Sequence, residues 1–84
     1  MSKEAGGDAV QDRAARRHGH DVLAELAGLQ RDLLSGPPSM ARLQRLSDLA
    51  DHMPAAADPH LQDIVAAIAT RAKIEIARYA AAAA

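Results

Sequence analysis

The sequence predicts an all-α protein, a small antiparallel (up-down-up) three-helix bundle with a flexible N-terminal arm, and three observations predict it. Apolar residues recur at spacings of three and four along three separate stretches, which gives each a single face to bury. The stretches are divided by two breaks, Gly36-Pro37-Pro38 and Pro54 through Pro59, where glycine and proline end helices. Both breaks are short, and short connections set successive helices side by side in opposite directions. The expected partition is a mobile N-terminal arm over 1–18, a three-helix domain over 19–80 and a frayed alanine tail over 81–84.

The arm carries the adjacent glycines Gly6 and Gly7, mixed charges and few large apolar groups. Such a segment buries too little to offset the entropy of ordering it. Ala9 to Arg17 could add a few turns to the following helix, since Ala and Arg favour helix, with Val10 as the one substantial apolar anchor. The first firm helix runs from about His20 to Leu34 and stops where Gly36 can take a left-handed cap. Val22, Leu26, Leu29 and Leu33 form its line, widened by Leu23, Ala27 and Leu34, a face broad enough for two neighbours. Ser39 caps a second helix from about Met40 to Met53, with Leu43, Leu46, Leu49, Ala50 and Met53 on one side, and Pro54 ends it. The third helix is the spine. Asp58 caps it and Pro59 occupies its first position without losing a paired amide. Leu61, Ile64, Val65, Ile68, Ala72, Ile76 and Tyr79 then fall on one stripe. Ile74 points to nearly the opposite side, near Ala67 and Thr70.

Eighty-four residues allow one domain with a small core. No Phe or Trp and a single Tyr contribute to it, so Leu, Ile, Val, Met and Ala must fill the interior. Stability is therefore expected to be modest, and self-association or a partner would add to it. Ten basic against eleven acidic side chains leave a formal charge of −1, too balanced for a protein that holds nucleic acid or an anionic membrane through bulk charge. The absence of cysteine rules out disulfides and thiolate chemistry. No secretion signal and no membrane span are read from the sequence, and a cytoplasmic location is expected.

Several constellations invite sharper readings. His18, His20, His52 and His60 would lie at one pole of an up-down-up bundle, yet their spacing matches no established zinc pattern, and solvent-facing histidines near helix ends explain them more simply. Asp48/Asp51 and Asp58/Asp63 suit helix capping and solvated faces better than acid–base catalysis. Arg13, Arg16 and Arg17 make a local basic patch with no aromatic residue interleaved for base stacking. The second and third helices could mimic a helix-turn-helix, but the third carries Ala and Ile rather than base-reading side chains. No catalytic residue, cofactor site or metal site is assigned, and the chain is not expected to be an enzyme. The remaining lead is Ile74. Either the helix end is covered on two sides or Ile74 is a tolerated exposed residue, or else, with Ala67, it starts a second apolar face for a partner or a twin subunit.

The runs Asp21-Val22-Leu23-Ala24-Glu25-Leu26, Leu33-Leu34-Ser35-Gly36, Leu43-Gln44-Arg45-Leu46, Asp58-Pro59-His60-Leu61 and Arg71-Ala72-Lys73-Ile74-Glu75-Ile76-Ala77 resemble, in order and spacing, the class II flagellar assembly regulator family, FliX, of alphaproteobacteria. The resemblance spans about His20 to Arg78. Family members usually carry a longer region ahead of it than this chain does. The resemblance implies a non-enzymatic regulator that couples construction of the flagellar basal body to transcription of later flagellar genes. It would act by contact with an enhancer-binding transcription activator, FlbD, without binding nucleic acid directly. The matched run around Ile74 is where contact is expected, through Ala67, Arg71, Ile74 and Arg78. A homo-oligomeric structural bundle and a small DNA-binding protein are the alternatives.

Overall fold

Helix α1 (Ser2–Ser35), helix α2 (Met40–Asp51) and helix α3 (Pro59–Ala83) make up the fold, and each packs against both others. The computed structural model describes the backbone of residues 2–83 and the side chains of residues 7–81. Asp12 on α1 meets the start of α3, and Gly19 meets Val65 and Ile68 further along. The two helices therefore run parallel, and α2 returns between them, the expected up-down-up order. No helix among the described residues is long and apolar enough to cross a membrane.

The helix ends form as their residues dictate. Gly36 follows α1 with φ of +144°, a backbone region that side chains disfavour. Ser39 Oγ accepts from the Arg42 amide at 3.0 Å. Asp58 Oδ1 accepts from the amides of His60 and Leu61 at 2.8 and 3.3 Å, with Pro59 first in the helix. Both caps satisfy amides that the first turn leaves without a helical partner.

Three boundaries differ from the expected ones. The first helix does not begin near His20; it reaches back to Ser2 and includes the turns from Ala9 to Arg17. Tertiary contact holds these turns. Ala15 is completely buried against Leu61 and Val65, flanked by Met53 and Ala56. Gln11 Nε2 donates to the Ala55 carbonyl at 2.9 Å, and the Asp12 carboxylate accepts from the amides of Ala57 and Asp58 at 2.6 and 3.2 Å. The segment read as an arm thus seats the α2–α3 connection. Before Gln11, Gly7 to Val10 are exposed, Val10 at 62%. At about 1.5 Å per residue α1 is about 51 Å long, which accounts for the molecule's 52 Å long axis. Second, α2 closes at Asp51 rather than Met53, because the residue before Pro54 is disfavoured in helical geometry. Third, α3 runs on to Ala83, past the 19–80 bound set for the three-helix domain. Met1 and Ala84 lie outside the described residues.

The main core joins Val22, Leu26 and Leu29 of α1, Leu43, Leu46 and Ala50 of α2, and Ala72 of α3, with half-buried Leu49, Met53, Ile68, Ile76 and Tyr79 around it. Burying a Leu or Val side chain contributes about 1.5 to 3 kcal/mol. Val22, Leu29 and Leu46 are the largest side chains wholly removed from solvent, and they lie in the core shared by all three helices. Four residues expected to point inward or to widen the inner face do not stay covered, Ala27 among them. Ile64 is 45% exposed, Leu23 39% and Leu34 89%. Three helices of this width cannot enclose the outer edges of so broad a stripe.

Candidate functional site

Ala67, Arg71, Ile74 and Arg78 are all exposed on α3. Their spacing of four, three and four places them on one stripe of the helix. Ile74 keeps 55% of its surface in solvent. Ile64, three positions before Ala67, continues the stripe toward the amino end, so its exposure and that of Ile74 belong to one surface. Arg78 Nη1 lies 3.7 Å from Glu75 Oε1, a weak solvent-exposed pair. Arg71 has no ion pair among the described residues.

Beside this stripe lies a feature that sequence reasoning did not identify, a groove between α1 and α3 on the flank away from α2. Its first stretch, about 200 Å³, is lined by Arg16, Gly19, His20 and Leu23 from α1 and by Leu61, Ile64, Val65 and Ile68 from α3. Apolar atoms form nearly all of that lining. The groove continues past Gln30 and Leu33 on α1 to Arg71, Glu75, Arg78 and Tyr79 on α3, where the lining turns polar. Two clues were present in the sequence: Leu23 and Ile64 sit at the edges of their stripes, and Gly19 supplies no side chain between them. Neither clue has meaning until the two helices are known to run side by side in parallel.

The flank between α1 and α2 has a different construction. The Arg42 guanidinium lies across α1, donating from Nε to Asp32 Oδ2 at 2.6 Å and from Nη1 to Glu25 Oε2 at 2.7 Å. Arg45 adds a longer contact to Glu25 at 3.3 Å. Hydrogen bonding to Asp32, reinforced by both carboxylate charges, holds the Arg42 pKa above the ordinary arginine value against the opposing effect of desolvation. Gly28 makes room for this clasp, because a Cβ there would collide with the guanidinium. Its role is structural, joining α1 to α2.

The other constellations have individual structural assignments. His18 Nε2 lies 2.6 Å from the Leu49 carbonyl oxygen and His52 Nδ1 2.7 Å from that of Asp48. A carbonyl only accepts, so each facing nitrogen carries the proton. His20 and His60 are exposed. Among the described residues no group of three or more histidine or carboxylate side chains is placed to share a metal ion. Asp58 is a cap, and Asp48 accepts from Gln44 at 3.1 Å. Arg13, Arg16 and Arg17 are exposed along α1.

What the α3 stripe and the groove offer chemically is apolar surface bordered by guanidinium donors, which suits apolar and carboxylate side chains of another protein. The model of a protein family described as class II flagellar assembly regulator, FliX, matches residues 2–80 of the chain. No curated protein and no solved structure matches it.

Proposed function

The chain belongs to the FliX family of class II flagellar assembly regulators, and we propose that it serves this role as a non-enzymatic cytoplasmic adaptor contacting an enhancer-binding transcription activator of the FlbD type. The observation that carries the reading is the exposure of Ile74 beside Ala67, Arg71 and Arg78. A large aliphatic side chain left in water on a helix face, next to cationic side chains without a role in the core, is accounted for by burial against a partner. Contact there couples assembly to transcription by occupying or releasing the activator.

The deciding experiment is capture of the cognate activator by the full chain and by Ile74→Asp, with circular dichroism confirming that the variant folds. The wild type is expected to retain the activator and the variant to lose at least about tenfold in affinity, as truncation at an interface centre does. Equal retention by both rejects the surface, and no retention by the wild type rejects the activator as partner. Leu34 and Met40, 89% and 66% exposed at the turn between α1 and α2, favour a second reading, a self-associating bundle. It calls for a molecular mass that rises with concentration, and the variant Ile74→Asp would be monomeric if the α3 stripe is the contact.

A further inference from the structure

The groove between α1 and α3 combines an apolar floor with a basic border. Leu23 and Ile64 stay 39% and 45% exposed over half-buried Ile68. Of the charged side chains lining its two stretches, Arg16, Arg71 and Arg78 are cationic and Glu75 alone is anionic. Glu75 is already engaged by Arg78, and neither Arg16 nor Arg71 has an ion pair among the described residues. The chain as a whole has a formal charge of −1, so this border runs against the overall balance.

We propose that the groove seats an amphipathic helix of the partner protein, with its apolar face on Leu23, Ile64 and Ile68 and its flanking carboxylates on Arg16, Arg71 and Arg78. This deepens, and rests on, the protein-contact reading above by naming the chemistry of what binds. The shape of the site selects a helix. Two parallel helices leave a straight trough, and from Arg16 to Gln30 it extends about 21 Å at about 1.5 Å per residue, the place a fourth helix occupies in a bundle. On α3, Ile64, Ile68, Arg71, Glu75 and Arg78 line it at spacings of four and three, the seam that helix-on-helix packing uses. Charge selects the flanks. A second copy of this chain would bring Arg16, Arg71 and Arg78 toward their own counterparts, whereas an acidic helix matches them.

The test titrates the full chain, observed by NMR, with two helical peptides of about 18 residues, long enough to lie along the trough at about 1.5 Å per residue. They share one leucine face and differ in flanks of glutamate or lysine. The glutamate peptide is expected to bind at least about tenfold more tightly and to shift the methyl signals of Leu23, Ile64 and Ile68. Leu23→Ser and Ile64→Ser, at half-exposed positions that leave the fold intact, are expected to weaken it about tenfold, and Arg71→Glu to abolish the preference. Equal binding of both peptides, shifts confined to other faces, variants that bind like the wild type, or a homodimer that buries Leu23 and Ile64 would each overturn the proposal. Activator capture by a chain that ignores both peptides rejects the groove alone; glutamate-peptide binding without activator capture rejects the preceding reading alone.

Discussion

Helix α1 meets its two neighbours through interfaces of opposite character, and two of its glycines mark the difference. At Gly28, facing α2, the missing Cβ is replaced by the Arg42 guanidinium, which reaches over the helix to Glu25 and Asp32. At Gly19, facing α3, a Cβ would meet only Ile68 Cδ1 at 3.5 Å and Val65 Cγ1 at 3.7 Å, ordinary contact distances. The α2 side is closed by an ion-pair clasp from Arg42 to Glu25 and Asp32. The α3 side is left open along an apolar trough. A bundle of three helices has only enough apolar surface to seal some of its flanks, and here the unsealed one is also the one bordered by Arg16 and Arg71, which have no ion pair among the described residues. Stability and the proposed recognition are thereby assigned to opposite sides of the same helix.

Core truncation on the closed side should have the largest effect. Leu46→Ala is expected to cost about 3 kcal/mol in urea denaturation, the middle of the range for a fully buried leucine; a loss comparable to that of Leu23→Ala would erase the contrast between the two flanks. Asp12→Ala should cost about 1 kcal/mol, because two backbone amides lose their acceptor. Hydrogen exchange at Ala57 and Asp58 should quicken in that variant. In the wild type, exchange should divide α1 near Asp12, fast in the turns before it, where an arm is proposed to move, and slow after it. The two glycines should then give unequal gains. Gly19→Ala is expected to stabilise by up to about 1 kcal/mol, the cost of glycine within a helix, with a methyl group that fills the groove floor. Gly28→Ala gains the same helix propensity but displaces Arg42, so its melting temperature should fall below that of Gly19→Ala. If both rise equally, the clasp contributes nothing. The smallest change is expected for Leu23→Ser, less than about 1 kcal/mol at a half-exposed site, with its consequence seen in peptide binding instead.

Local rules made much of this legible. Gly36, Ser39, Asp58 and Pro59 punctuate the chain by chemistry that acts within a few residues, and each cap forms as its side chain requires. The residues from Ala9 to Arg17 carry no such local signal, because what orders them is forty-odd positions away. Gln11 and Asp12 look like solvated polar residues until the connection at Ala55, Ala57 and Asp58 folds onto them, and Ala15 carries too small a side chain to announce a buried position. Of the candidate surface, the outward stripe of Ala67, Arg71, Ile74 and Arg78 follows from the helical period alone. That same period places Ile64 in the core, and the structure instead leaves it at the edge of the groove.

The sequence by itself determined three helices, their caps, their antiparallel succession and the residues at the centre of each buried face, because these depend on backbone chemistry and on a period of 3.6 residues. Only the tertiary structure decided how far α1 extends, which edges of the broad apolar stripes stay in water, and that α1 and α3 border a shared basic groove. Those outcomes depend on which helix flanks find a neighbour, and a neighbour is supplied by packing across the whole chain rather than by any local run of residues.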